Sequence, residues 1–341
     1  MAIVKPIFPM KPANLVNWIF NGVSSSLCSV VTEFSGDILP SDGAEVYLRT
    51  DLALAPVKAY IWKNVERAKE NEFGKVIIAR EFASGTEMTV SPGETLVVDF
   101  GQNCAGVPSF VFKAAEGTVL TCLPAELLND GNGAKIRGMD GPEGSCHREN
   151  LRIPHTGIRL DYTFAGGDNY VAYYPHCTFF GYRYVSITAT GNVAIKSLKS
   201  IPVTSIAKEL ETGTITTGND LVNKLISNTY WGQLSNYLSI PTDCPQRDER
   251  LGWTADTQVF AETGTFFANT MKFFHKWMRD MRDTQNSLGR IPPEWLPWRN
   301  TVMRKCVWVG PMPESSCPGR YGSNSVTRKL LRRAGTPWTC L

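Results

Sequence analysis

Between residues 76 and 205 apolar and polar positions alternate in short runs, among them Thr95-Leu-Val-Val-Asp-Phe100, Ser109-Phe-Val-Phe112 and Tyr182-Arg-Tyr-Val-Ser-Ile187. Successive side chains of a strand point to opposite faces, so this period predicts antiparallel strands, with the intervening Gly, Pro and Asn residues as turns. The period then lengthens. Leu221, Val222, Leu225, Ile226, Tyr230, Leu234 and Leu238 recur at steps of three and four, which lines one side of a helix, and Asn219 is placed to cap it. A second helix is expected to carry Val259, Phe260, Thr263, Phe266 and Phe267, and a third Phe273, Phe274, Trp277, Met278 and Met281. These aromatic stripes follow the helical period and read as core. The fold class is a multidomain β plus α chain, an antiparallel β-sandwich followed by helical hairpins.

Composition supports that size of fold: 341 residues with 43% hydrophobic side chains give room for two domains. No apolar run is long enough to cross a bilayer. Leu15 to Val23 is short and broken by Asn17 and Asn21, which disfavours a secretion signal. Nine cysteines lack regular spacing and any Cys-x-x-Cys pair, so they read as reduced thiols of a cytoplasmic protein.

The chemistry concentrates in Pro241-Thr-Asp-Cys-Pro-Gln-Arg-Asp-Glu-Arg-Leu-Gly-Trp-Thr-Ala-Asp256. Pro241 and Pro245 bar a continuous helix, so the charged groups sit on a loop that leads into one. Asp243, Asp248, Glu249 and Asp256 with Arg247 and Arg250 could bond the hydroxyls of a neutral polyol, and Trp253 could wall the apolar face of a sugar. A solvated, salt-bridged loop explains the same residues equally well. Cys244 has no His near it in sequence to make it a nucleophile and reads as packed. The Cys and His spacing matches no metal site, and no Gly-rich phosphate loop occurs. Asn129-Asp-Gly-Asn-Gly133 reads as a turn, since it lacks the closing Glu of a calcium loop. No cofactor is expected.

The 241–256 wording resembles the signature of the bacterial α-L-rhamnosidases of glycoside hydrolase family 78, with Ala255 where the family usually has Gly and Thr257 where it often has Ala. Asp99-Phe-Gly-Gln-Asn-Cys-Ala-Gly106, Glu116-Gly-Thr-Val, Ala125-Glu126 with Asp130-Gly131, and Pro175 to Val185 resemble the concanavalin-like sandwich of these enzymes. Trp277, Asp280, Asp283-Thr-Gln285 and Gly289 to Pro292 resemble the next part of their barrel. The resemblance implies four segments: 1–75 the remainder of an N-terminal β module, 76–210 the sandwich, 211–298 the first part of a six-hairpin (α/α)6 catalytic barrel, and 299–341 a tail. It implies hydrolysis of terminal α-L-rhamnose from a glycoside or oligosaccharide with inversion, the two carboxyl groups roughly 6.5–9.5 Å apart. Glu249 would be the general acid, Asp243, Arg247 and Asp256 would hold hydroxyls, and Trp253 would flank the ring. The family's base is a Glu far downstream, with no counterpart assignable here. The alternative is a catalytically inactive product or a carbohydrate-binding protein.

From Arg299 onward eight Lys or Arg face a single acid, Glu314, and without this segment 27 basic and 31 acidic residues remain, a formal charge of −4 in place of +3. A nucleic-acid function would rest on the tail alone; neither nucleic acid nor membrane is an expected partner. Reading Val309 to Tyr321 one base out of register, with permitted synonymous codons, gives Trp-Ala-Asp-Ala-Gly-Val-Ile-Leu-Pro-Trp-Thr-Val-Trp, which resembles the family's next barrel segment. The tail is therefore expected to be out of frame, with the shift between Pro292 and Val309. Half a barrel would leave Phe266, Phe267, Phe273 and Trp277 without packing partners.

Overall fold

The structure, a computed structural model, describes residues 43–67, 73–130, 140–151, 157–247, 249–283 and the backbone of 294–295. The expectations for residues 1–42, the 131–133 turn, Asp248, Thr284 to Pro292 and the 299–341 tail lie outside the described residues.

The strands in chain order are β1 (Tyr47–Leu48), β2 (Lys58–Glu66), β3 (Lys75–Phe82), β4 (Met88–Val90), β5 (Thr95–Ala114), β6 (Val119–Ala125), β7 (Leu127–Leu128), β8 (Cys146–His147), β9 (Leu160–Thr163), β10 (Val171–Tyr173), β11 (Phe180–Ala189) and β12 (Val193–Thr204). All but β7 and β8, which pair with each other, join one antiparallel sheet built on β5. The first residues of β5 pair with β2 and β11, from Lys58↔Asp99 to Trp62↔Thr95 and from Tyr184↔Asp99 to Ile187↔Leu96. Its later residues pair with β12 and β10. A strand that changes partners along its length has to bend. Gly101, at φ +76°, takes up a conformation that a side chain would strain, and the register of β11 shifts opposite it between Tyr182 and Tyr184. The curled sheet closes over Leu96, Val98, Phe100, Phe110, Phe112, Tyr182, Ile187 and Ile195, all at most 2% exposed.

Two details of the sequence reading change. Thr95–Phe100 and Ser109–Phe112 belong to one strand, because Gly101 to Asn103 bend the chain while pairing with β11 resumes at Cys104. The sheet also crosses the expected boundary at residue 75, since β2 pairs with both β3 and β5.

The helical region follows as α1 (Asp220–Asn236), β13 (Tyr237–Leu238), β14 (Ile240–Pro241), β15 (Gly252–Trp253), α2 (Thr254–Phe267), α3 (Met271–Asp283) and β16 (Glu294–Trp295). Asn219 caps α1, its Oδ1 accepting from the amides of Leu221 at 2.9 Å and Val222 at 3.3 Å. The core here forms around Tyr237, whose ring stacks on Phe273 at 4.5 Å, with Leu234, Phe267, Phe274, Trp277 and Met281 about it and Ile206 from the end of the sheet. Phe267, Phe273 and Trp277 are therefore buried, contrary to the expectation that they lack partners; Phe266 is 43% exposed. The apolar stripe of α1 is core only towards its C-terminus, because that end alone lies on the sheet: Leu234 is 1% exposed, Leu221 82%. Val259 on α2 also faces outward. Among the described residues no helix is long and apolar enough to cross a membrane.

Backbone groups at the junction are satisfied across it. The Ala105 amide of β5 donates to Ser235 Oγ of α1 at 3.0 Å, the Ser205 amide to the Tyr237 carbonyl at 2.6 Å, and the Ser239 amide to Ser205 Oγ at 2.9 Å. The buried guanidinium of Arg49 adds a polar link, donating to the Ile206 carbonyl and pairing with Asp51 and Glu211.

Candidate functional site

The loop between β14 and β15 starts where Pro241 ends its strand and is shaped by its own backbone. The Asp243 amide donates to the Leu251 carbonyl at 3.0 Å, and the Leu251 amide returns a bond of 2.9 Å to Asp243 Oδ1, clasping the loop at its base. Inside the clasp Cys244 is buried. Thr242 fixes the entry, its amide donating to the Asn236 carbonyl at 2.8 Å. The loop lies against β11: a Cβ built on Gly181 would stand 2.6 Å from the Gln246 nitrogen and 2.7 Å from the Pro245 carbonyl carbon, so only glycine permits this approach.

Within the loop Arg247 gathers two carboxylates. Its Nε lies 2.9 Å and its Nη2 2.8 Å from Glu249 Oε2, while Nη2 reaches Asp243 Oδ2 at 3.6 Å. The three side chains are between 10% and 25% exposed, so they are shielded without being sealed. Burial pushes the Asp243 carboxyl above its ordinary value, the Leu251 amide opposes that, and the charge of Glu249 adds to it. The sheet contributes a further acid. Glu126, between β6 and β7, accepts from Asn103 Nδ2 at 2.9 Å and Asn150 Nδ2 at 3.0 Å; burial raises its pKa, and the Asn103 bond and the positive charge of Arg247 pull it back. The residue patterns mark Glu126 only as part of a family-like stretch, and nothing local in sequence ties it to Arg247.

The other expected residues stand at the start of α2. Trp253 is half-buried in β15, paired in backbone with Glu294, and its carbonyl accepts from Thr257 Oγ1 at 3.2 Å. Asp256 is exposed in the first turn of α2, where the helix dipole favours a carboxylate. Among the described residues no hydrogen bond or ion pair joins Asp256 to Asp243, Arg247 and Glu249. The structure thus brings three of the five together and leaves Trp253 and Asp256 beside them along the chain.

Asp243, Cys244 and Glu249 each present a ligand atom within 4.8 Å of the others, close enough for a cation. Arg247 already supplies positive charge there, however, its Nη2 2.8 Å from Glu249 Oε2. The donor set suits neutral hydroxyl groups better than a metal.

Comparison with known proteins bears on the family and the fold. A model of the bacterial alpha-L-rhamnosidase concanavalin-like domain matches residues 88–205, and one of the bacterial alpha-L-rhamnosidase 6 hairpin glycosidase domain matches residues 210–319. An alpha-L-rhamnosidase of Streptomyces avermitilis is 36% identical over 220 residues, 63% of this chain and 19% of that protein. One of Formosa agariphila is 34% identical over 200 residues, 58% of this chain and 20% of that protein. The crystal structure of a Streptomyces avermitilis alpha-L-rhamnosidase complexed with L-rhamnose superposes with a TM-score of 0.56 at 29% identity, covering 75% of this chain and 20% of that one. A curled antiparallel sandwich leading into a six-hairpin glycosidase domain, with a charged loop at the join, defines a glycosidase-type hydrolase fold. The chain belongs to the bacterial α-L-rhamnosidase family. It spans about a fifth of the length of the curated relatives it matches.

Proposed function

We propose that this chain carries the sugar-recognition and proton-donating part of an α-L-rhamnosidase site that releases terminal α-L-rhamnose from a glycoside with inversion. The observation that carries the reading is the convergence of Asp243, Arg247 and Glu249 on one clasped loop. Glu249 is the acid that protonates the departing oxygen, and inversion then needs a second carboxylate to activate water on the other face of the ring. No residue of this chain is assigned that second role. Asp243, Arg247 and Asp256 bond rhamnose hydroxyls, and Trp253 offers its ring to the sugar's apolar face. As the loop stands, Arg247 occupies Glu249 Oε2 through two nitrogens. A rhamnose hydroxyl that accepts from Arg247 would free that oxygen for the proton-donating role, tying sugar binding to activation of the acid.

The test pairs calorimetric titration with rhamnose and hydrolysis of an aryl α-L-rhamnoside, for the parent chain and Glu249→Gln. The expected outcome is affinity retained within a few-fold and turnover lost by at least a hundredfold in the variant. Equal hydrolysis by both would remove Glu249 from the mechanism. A second reading, a carbohydrate-binding protein without turnover, is favoured by the pairing of Glu249 with Arg247 and predicts affinity with no hydrolysis before any mutation.

A further inference from the structure

Arg250 follows Glu249 directly and has a backbone φ of +45°, the left-handed region that a bulky residue enters only when its surroundings hold it there. Two contacts with the sandwich do so. Its guanidinium carbon lies 4.0 Å from the centroid of the Phe179 ring, and its Nη2 donates to the Phe179 carbonyl at 3.1 Å. Phe179 immediately precedes β11, on whose Gly181 the same loop rests at Pro245 and Gln246. Its neighbour Leu251 forms the clasp with Asp243 at the base of the loop.

From these contacts we infer that Arg250 is a positioning residue of the site: stacked on Phe179, it fastens the 243–251 loop to the sandwich and so fixes Glu249 relative to Asp243 and Arg247. A guanidinium suits this task because it is planar, stacks on an aromatic face and donates in its own plane to a carbonyl at the same time. A short aliphatic side chain could do neither, and a lysine only part. The purpose of the fixed geometry rests on the glycosidase reading, but the clamp itself does not.

Amide hydrogen exchange in the full chain tests it. In Arg250→Met the amides of Asp243 and Leu251 are expected to exchange at least tenfold faster, with Val98 and Ile187 in the sheet unchanged. Arg250→Lys, which keeps charge and some stacking, should recover part of the protection. Phe179→Leu, which removes the ring but keeps the carbonyl, should give an intermediate acceleration at the same two amides, and it decides the matter if Arg250→Met loses protection throughout. Unchanged exchange at Asp243 and Leu251 in a variant whose sheet stays protected would overturn the inference. Rhamnose titrated into the same samples separates the two proposals: no response in any of them counts against the glycosidase reading and leaves the exchange result standing.

Discussion

Glu94 in the sandwich and Asp243 in the loop are both buried carboxylates near cationic side chains, yet their surroundings push them in opposite directions. Glu94, its side chain 6% exposed, takes a bond of 2.9 Å from the Ser91 amide and lies 2.8 Å from Arg80 and 3.1 Å from Lys63. Burial alone would raise its pKa, but those partners outweigh it and hold the group below the ordinary range. Asp243, 10% exposed, has Arg247 3.6 Å away, and that cation sits closer to Glu249. Burial prevails there and the pKa rises. The sheet satisfies its carboxylate fully, whereas the loop leaves bonding capacity that a hydroxyl-bearing ligand can fill.

The strongest test of this contrast removes the satisfied partner. Glu94→Ala leaves the Ser91 amide without its acceptor and Arg80 and Lys63 without their anion, and should lower unfolding stability by about 2 kcal/mol, read as a shifted denaturant midpoint at constant slope. No shift would mean the ion pairs exchange freely with water. Gly181→Ala should cost about 1–2 kcal/mol, because the new methyl meets backbone of the site loop. A cost below about 0.5 kcal/mol would show that the loop rides loosely on β11.

The smallest effect is expected at Asp243 itself. Asp243→Asn keeps an acceptor for the Leu251 amide and removes a charge that burial penalises, so at neutral pH the chain should gain stability by less than about 1 kcal/mol while sugar affinity falls. The pH dependence sharpens this. With a raised folded-state pKa, Asp243 contributes stability below the ordinary carboxylate value of about 3.9, and that contribution is lost as pH rises through the raised value. Glu94, with a lowered pKa, contributes above its ordinary value and loses that contribution as pH falls. Asp243→Asn should therefore flatten the decline in stability on the alkaline side of the carboxylate range. An unaltered profile would assign that decline to another group, with Glu126 the first candidate.

Strand alternation, the Asn219 cap and the proline-bounded loop are legible in the sequence because each depends on residues a few positions apart. The continuity of β5 is not, since Gly101-Gln-Asn103 has the composition of a turn and only pairing with β11 shows it as a bend. Nor does the helical period tell which end of α1 lies on the sheet, so Leu221 and Leu234 look alike in sequence and differ completely in exposure. For the site, the motif brings Asp243, Arg247 and Glu249 to notice. The groups that fix and charge their surroundings are remote: Phe179 is 71 residues from Arg250, and Glu126 lies on another domain.

The bond from the Ala105 amide to Ser235 Oγ has a consequence for inheritance. An internal strand of the sandwich completes its hydrogen bonding only with a hydroxyl from the first helix of the other domain. Excised at residue 205, the sheet would expose Ala105, Val107 and Val203, which now pack with Leu238, to water, and the helix would lose the bond its serine accepts. Shuffling of gene segments would thus be selected against at this joint, and the two folds would pass from one lineage to the next as a single cassette.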